Sequence, residues 1–421
     1  MYTKKELNNG LRLIYEPLKH LPSVTIGVWI KAGSRYEKSN LNGISHFLEH
    51  MFFKGTKKRS AKQIADEIDL IGGQINAFTS KEYTCIYVKV LSEDLDIALD
   101  ILSDMFYDSN FDENEIKKER GVIIEEINMY EDSPEEIVHD LIFKAAYGKH
   151  MLSEPVLGTK ETLQDMDHNS LKNYYDSMYI NENVALTVLG NFNEESIVEK
   201  INEYFSKEHS GNLFSEECNP KFHSNSIVRF KDTEQFHMCL SYEGLSFGDP
   251  NTYSLMVINN LLGGSISSML FQRIREELGL VYSVYTYPVY NEGTGLFNLY
   301  AGFQQENFDK LISEIGIIFN NFFNKGPSEE TILRAKRQLK GNYMMGLEST
   351  SSRMNLLGKS ELFHSELKTL EYIHKKIDAI SPESINMVIN KLKNTKTPAI
   401  SLIGNIKNED EYISKIRNNM K

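Results

Sequence analysis

The stretch Ser45-His46-Phe47-Leu48-Glu49-His50-Met51 decides how this chain is read. If it is helical, His46 and His50 lie one turn apart on a single face. Two imidazoles so placed can hold one metal ion between them. Glu49 directly precedes the second histidine, close enough to reach a water on such an ion. The order His-x-x-Glu-His is the inverse of the commoner His-Glu-x-x-His. Two histidines rarely suffice for a catalytic ion, which usually takes three protein ligands and a water. The rest of the chain therefore has to supply a third donor.

Outward from that stretch, the pattern alternates. Leu11–Tyr15 and Val24–Ile30 read as strands, and the motif helix begins near Asn42 or Ser45. Residues 60–71 form an amphipathic helix ended by Gly72-Gly73. Gln74–Thr79 and Thr84–Leu91 are strand-like, and residues 93–106 and 112–131 read as helices. This order predicts an α+β fold with an antiparallel or mixed sheet backed by helices, rather than a Rossmann unit.

The first-half run Val184-Ala185-Leu186-Thr187-Val188-Leu189-Gly190-Asn191 has a counterpart near the chain end, Pro398-Ala399-Ile400-Ser401-Leu402-Ile403-Gly404-Asn405. Both end in Gly-Asn, and they lie about half a chain apart. Between them, polar residues rich in Gly, Asn, Glu and Pro mark a linker. The expected division is a domain over 1–210, a linker over 211–224 and a second domain over 225–421.

With 421 residues the chain is long enough for two cores. Apolar residues make up 41% and charged residues 25%, an ordinary soluble composition. The net charge of -13 argues against nucleic acid as a partner. No apolar run approaches a membrane span, and no targeting segment is recognisable. The three cysteines, Cys85, Cys218 and Cys239, have no metal-site or redox-pair spacing. A cytoplasmic setting is the expectation. The run Leu261-Leu262-Gly263-Gly264-Ser265 lacks the pattern of a nucleotide-binding loop.

Candidates for the third donor crowd the helix over 112–131. Glu119 and Glu126 are seven residues apart and share a face. Ile123, Val122 and Tyr130 flank Glu126 at helical spacing and draw it toward the buried side, whereas Glu125 is rotated toward solvent. A carboxylate in apolar surroundings needs a cation or metal as partner. Glu113, Glu115 and Glu131 read as a solvated stripe.

Four stretches together carry a resemblance. They are Gly43–Thr56 around the motif, Gly72–Thr79, Glu119–Ile127 with Tyr130-Glu131-Asp132, and Phe271–Val284. The chain resembles the pitrilysin/insulinase family of inverted-motif zinc peptidases. Within it, the chain is similar to the half-size bacterial relatives of the mitochondrial processing peptidase β subunit. The resemblance implies two homologous domains, only the first bearing metal, and one Zn2+ per chain held by His46, His50 and Glu126. It gives Glu49 the role of general base and Glu119 that of support. Arg275 and Tyr282 become substrate-backbone contacts from the second domain. Asn76, Ala77 and Phe78 become an edge strand that pairs with extended substrate.

The implied activity is hydrolysis of peptide bonds in peptides or unfolded polypeptide segments, inside a chamber closed by a homodimer. A non-catalytic structural or chaperone-like subunit of the same fold is the alternative.

Overall fold

A computed structural model of the chain describes residues 2–211, 220–363 and 368–420. Cys218 and much of the expected linker lie outside the described residues. The chain forms two compact units. The first comprises Met1–Asn128, Glu154–Glu217 and Gly346–Lys368; the second comprises Met129–Ser153, Cys218–Met345 and Thr369–Lys421. The two units thus interleave along the sequence instead of meeting at one linker. Residues 129–153 belong with the second, and residues 346–368 with the first.

The first unit is built on six strands: β1 (Thr3–Glu6), β2 (Arg12–Pro17), β3 (Ser23–Ile30), β4 (Gln74–Thr79), β5 (Thr84–Leu91) and β6 (Val184–Gly190). They run in the order β1-β2-β6-β3-β5-β4. Every neighbouring pair is antiparallel except β2 and β6. Alternation along β3 explains the layers. Val24, Ile26, Val28 and Ile30 point into one core, packed with Leu99, Leu102 and Phe106 of the helix Leu95–Asp108. Trp29 points the other way, into a second cluster with Cys85, Met354 and Leu357.

The helix Thr350–Leu362 covers that second face. It needs very small residues to do so. A Cβ on Gly358 would lie 2.2 Å from Trp29 Cε2, and one on Gly27 would lie 2.8 Å from Met354 Sδ. Thr25 and Thr350 hydroxyls meet at 3.0 Å beneath the helix. Both faces of the sheet are therefore buried at its central strands β3 and β6.

The second unit repeats the plan with β7 (Ser226–Phe230), β8 (Gln235–Glu243), β9 (Val281–Asn291), β10 (Thr294–Gln304) and β11 (Ala399–Gly404). The order is β7-β11-β8-β10-β9, with β7 and β11 as its parallel pair. Here β11 occupies the place of β6, so the two Gly-Asn runs are equivalent strands. The helix Pro134–Tyr147 covers one face, with Ser401 donating to the Val138 carbonyl at 2.8 Å. These are two homologous α/β domains, each a mixed sheet backed by helices. The Gly-Gly run closes the helix Thr252–Leu262, and Gly263 lies against Thr286 of β9, whose amide nitrogen a Cβ would meet at 2.5 Å.

Candidate metal centre

The motif residues fall on the helix Ile44–Phe52. Its first turn is fixed by a carboxylate from outside the helix. Glu37 accepts from the Gly43 and Ser45 amides at 2.7 and 2.9 Å and from the Asn42 side chain at 3.0 Å. An anion there meets the free N–H groups and the positive end of the helix dipole. Burial pushes the Glu37 carboxyl up, and these same hydrogen bonds work against the shift. Ser45 also meets the Tyr174 hydroxyl at 2.8 Å. The helix that presents His46 is thereby held at its root.

His46, His50 and Glu126 each bring one donor atom, all within 4.8 Å of one another. The two rings meet edge to face, 4.7 Å between centroids. His46 Nε2 and His50 Nε2 lie 3.7 and 3.6 Å from the same Glu126 oxygen. These separations are long for hydrogen bonds. They come close to the roughly 3.4 Å between two ligands each about 2.0–2.1 Å from a tetrahedral ion. His50 Nδ1 meets Glu119 Oε2 at 3.1 Å, which leaves Nε2 as its outward donor.

Electrostatics fit the same use. Burial, and then the neighbouring His50, lower His46 to about 4, so it is neutral at pH 7 with a free lone pair. The neighbouring imidazoles, His50 first and then His46, keep Glu126 below the usual carboxylate range. Burial alone lowers His50, but the surrounding carboxylates of Glu126, Glu119 and Glu49 together outweigh it and leave its pKa raised. Two neutralisable imidazoles and one anionic oxygen make a donor set suited to zinc.

Glu49 occupies the helix position just before His50. Burial pushes its carboxyl up, and a hydrogen bond from Thr79 of β4 partly offsets this. Its Oε2 is buried without a protein partner. A buried, basic and unengaged carboxylate oxygen beside the donors is what a proton acceptor requires.

Glu126 and Glu119 share the helix Glu113–Glu131, whose buried seam is Ile116, Glu119, Ile123 and Ile127. Val122 is half exposed, so it does not draw Glu126 inward as the sequence pattern suggested. Glu126 sits at the margin of the seam with its side chain 44% exposed, and Glu119 is the buried member. A ligand at the margin leaves one side of the centre open. Glu37, Thr79 and Lys54 also serve the centre without any local sequence signal; Lys54 Nζ lies 2.7 Å from Glu119 Oε1.

Asn76, Ala77 and Phe78 lie on β4, the edge strand of its sheet. The Ala77 amide donates to the side chain of Asn76 at 2.8 Å. In the second unit, Arg275 lies on the π-helical stretch Phe271–Glu277, its guanidinium over the Phe271 ring at 4.7 Å. Tyr282 is 78% exposed. It is the extra residue of a β-bulge: Gly302 pairs with Ser283 and Phe303 with Val281. Such bulges re-aim single side chains.

This fold and this donor set, with a base beside them, define a zinc metalloendopeptidase. The chain belongs to the insulinase family, peptidase family M16. The profile of that family matches residues 12–160, and the profile of the peptidase M16 inactive domain matches residues 165–339. Among curated relatives, the uncharacterized zinc protease YmxG of Bacillus subtilis is 45% identical, over 96% of this chain and 98% of its own. An uncharacterized zinc protease of Streptomyces coelicolor is 36% identical, over 96% of this chain and 89% of its own. The crystal structure of a protease from Helicobacter pylori superposes with a TM-score of 0.88 at 22% identity, covering 96% of this chain and 99% of that one.

Proposed function

We propose that this chain is a one-zinc endopeptidase that cleaves extended peptides and unfolded polypeptide segments. The observation that carries the reading is the convergence of His46, His50 and Glu126 beside the unengaged oxygen of Glu49. Those three side chains would hold the zinc, which would supply Lewis acidity for the scissile carbonyl and for the attacking water. Glu49 takes the proton from the attacking water and returns it to the departing amine. Its raised basicity favours the first transfer.

The substrate pairs along the free edge of β4. Such pairing draws affinity from main chain and tolerates many sequences. The Ala77 amide is the one the substrate engages, displacing the Asn76 side chain that satisfies it. Phe78 and its strand neighbours then flank the substrate chain. Tyr282 donates to the developing oxyanion and Arg275 positions substrate backbone. The working form is a cytoplasmic homodimer that excludes folded proteins. Two observations suit that setting: Cys85 and Cys239 are free and buried, and among the described residues no helix is long and apolar enough to cross a membrane.

Profiling cleavage of an unstructured peptide library tests this reading. Cleavage abolished by chelation and restored by zinc supports it. A zinc-loaded protein that leaves every extended peptide intact sinks it. Sedimentation of the pure protein checks the dimer separately.

A further inference from the structure

We infer that Lys54 is a positioning residue of the metal centre, which fixes the carboxylate that in turn orients His50. The inference rests on the zinc reading above and adds a member that the motif does not contain.

Local structure places Lys54 for this task. The motif helix ends at Phe52. The amides of Phe53 and Lys54 still donate to the His50 and Met51 carbonyls, at 3.2 and 3.1 Å. Gly55 then turns the chain away with φ +113°, a conformation that side chains resist. Lys54 therefore leaves from the last turn of the helix that carries both histidines. Its position is tied to theirs by backbone hydrogen bonds.

From there the Lys54 ammonium reaches Glu119 Oε1 at 2.7 Å, while the other oxygen of Glu119 takes His50 Nδ1 at 3.1 Å. The carboxylate is pinned through both oxygens and cannot rotate about its last bond. Glu119 is 7% exposed, so its charge needs a compensating cation. Among the described residues, Lys54 is the lysine or arginine paired with it. An exposed ion pair contributes little. This one has a buried partner and a geometric task.

The task follows from the two ends of the imidazole. A metal-bound histidine holds its orientation by donating its second N–H to a carboxylate or carbonyl. That donation directs the ring only if the carboxylate is itself fixed. Freed from Lys54, Glu119 can turn its Oε2 out of line with Nδ1. His50 Nε2 then loses its fixed aim toward the ion. Lys54 is paired with Glu119 and is not one of the three donors, so its effect is expected on metal affinity rather than on bond cleavage.

The test measures zinc affinity of the full chain by competition with a chromogenic chelator, for wild type, Lys54→Met and Lys54→Arg. Thermal unfolding of each metal-free protein is recorded in parallel. Loss of an outer partner typically costs 10–100-fold in metal affinity. The expected result is a loss of about 10-fold or more in Lys54→Met, measured well below a metal-free midpoint that falls as Glu119 loses its cation, and recovery of most affinity in Lys54→Arg. At saturating zinc, KM for peptide stays at the wild-type value. Lys54→Met binding zinc as tightly as wild type overturns the inference. So does a loss in both variants that only tracks their stability. If Lys54→Met does not fold, Lys54→Gln is measured with the same criteria. Wild type retaining no zinc at all would instead defeat the reading of the site itself, so the two failures are distinguishable.

Discussion

His46 and Glu49 sit three positions apart on one helix, and burial moves both toward their uncharged forms, each for a different use. For His46 this yields a lone pair. Its folded value of about 4 lies below the ordinary 6.5, so the native state binds fewer protons between those two values. His46 therefore contributes stability to the metal-free protein that grows as pH climbs from about 4 to about 6.5 and is lost again as pH falls through that window, while the raised His50, Glu49 and Glu37 act in the opposite sense. Urea midpoints across the range check this, and His46→Asn is expected to flatten the slope. For Glu49 burial yields a stronger base. Shortening it by one methylene in Glu49→Asp withdraws the oxygen from the water. The expected loss is about 10²-fold or more in kcat, with zinc stoichiometry retained; metal loss that matches the activity loss contradicts the assignment. His46, Glu49 and His50 were legible from spacing alone. Glu126 was legible through the helical period and the family likeness, though Val122 did not bury it. Lys54 and Thr79 were not legible, because their partners are distant in sequence and nothing in a local pattern announces such a pair.

The centre depends on elements whose ends are fixed from outside. Glu37 holds the root of the motif helix by accepting from two backbone amides. In Glu37→Ala those buried donors lose their partner, at roughly 1–3 kcal/mol for each left unsatisfied. A fall in the denaturant midpoint together with weaker zinc binding is expected. An unchanged zinc affinity in a destabilised protein would confine Glu37 to a structural part. Most element boundaries followed from the sequence. Ser60 and Gln63 form a capping box ahead of the helix Ala61–Leu70, and the strands Gln74–Thr79 and Thr84–Leu91 stand where alternation put them. The bulge at Tyr282 was hidden, since a single extra residue leaves the local alternation almost unchanged.

Two homologous domains follow from the paired Gly-Asn strands, but a division at one linker does not describe the compact units. Each unit completes its sheet with a helix that is remote in sequence from most of that unit. The helix Thr350–Leu362 is hard to assign from sequence because it fits by absence, through Gly358 against Trp29. A fragment of residues 1–210 lacks that helix and leaves Trp29 and Cys85 uncovered. It is expected to unfold without cooperativity in calorimetry, whereas a sharp, reversible transition would show that the helix is dispensable. Gly358→Val in the full chain should act the same way more mildly, since overpacking costs about 1–3 kcal/mol. In the proposed centre, three donors hold zinc and one carboxylate moves the proton. The most direct test sets wild type beside Glu49→Gln and Glu126→Gln, with zinc content and peptide cleavage measured on the same samples. One zinc and cleavage are expected in wild type, one zinc without cleavage in Glu49→Gln, and loss of both in Glu126→Gln. Cleavage at the wild-type rate by zinc-loaded Glu49→Gln would contradict these expectations.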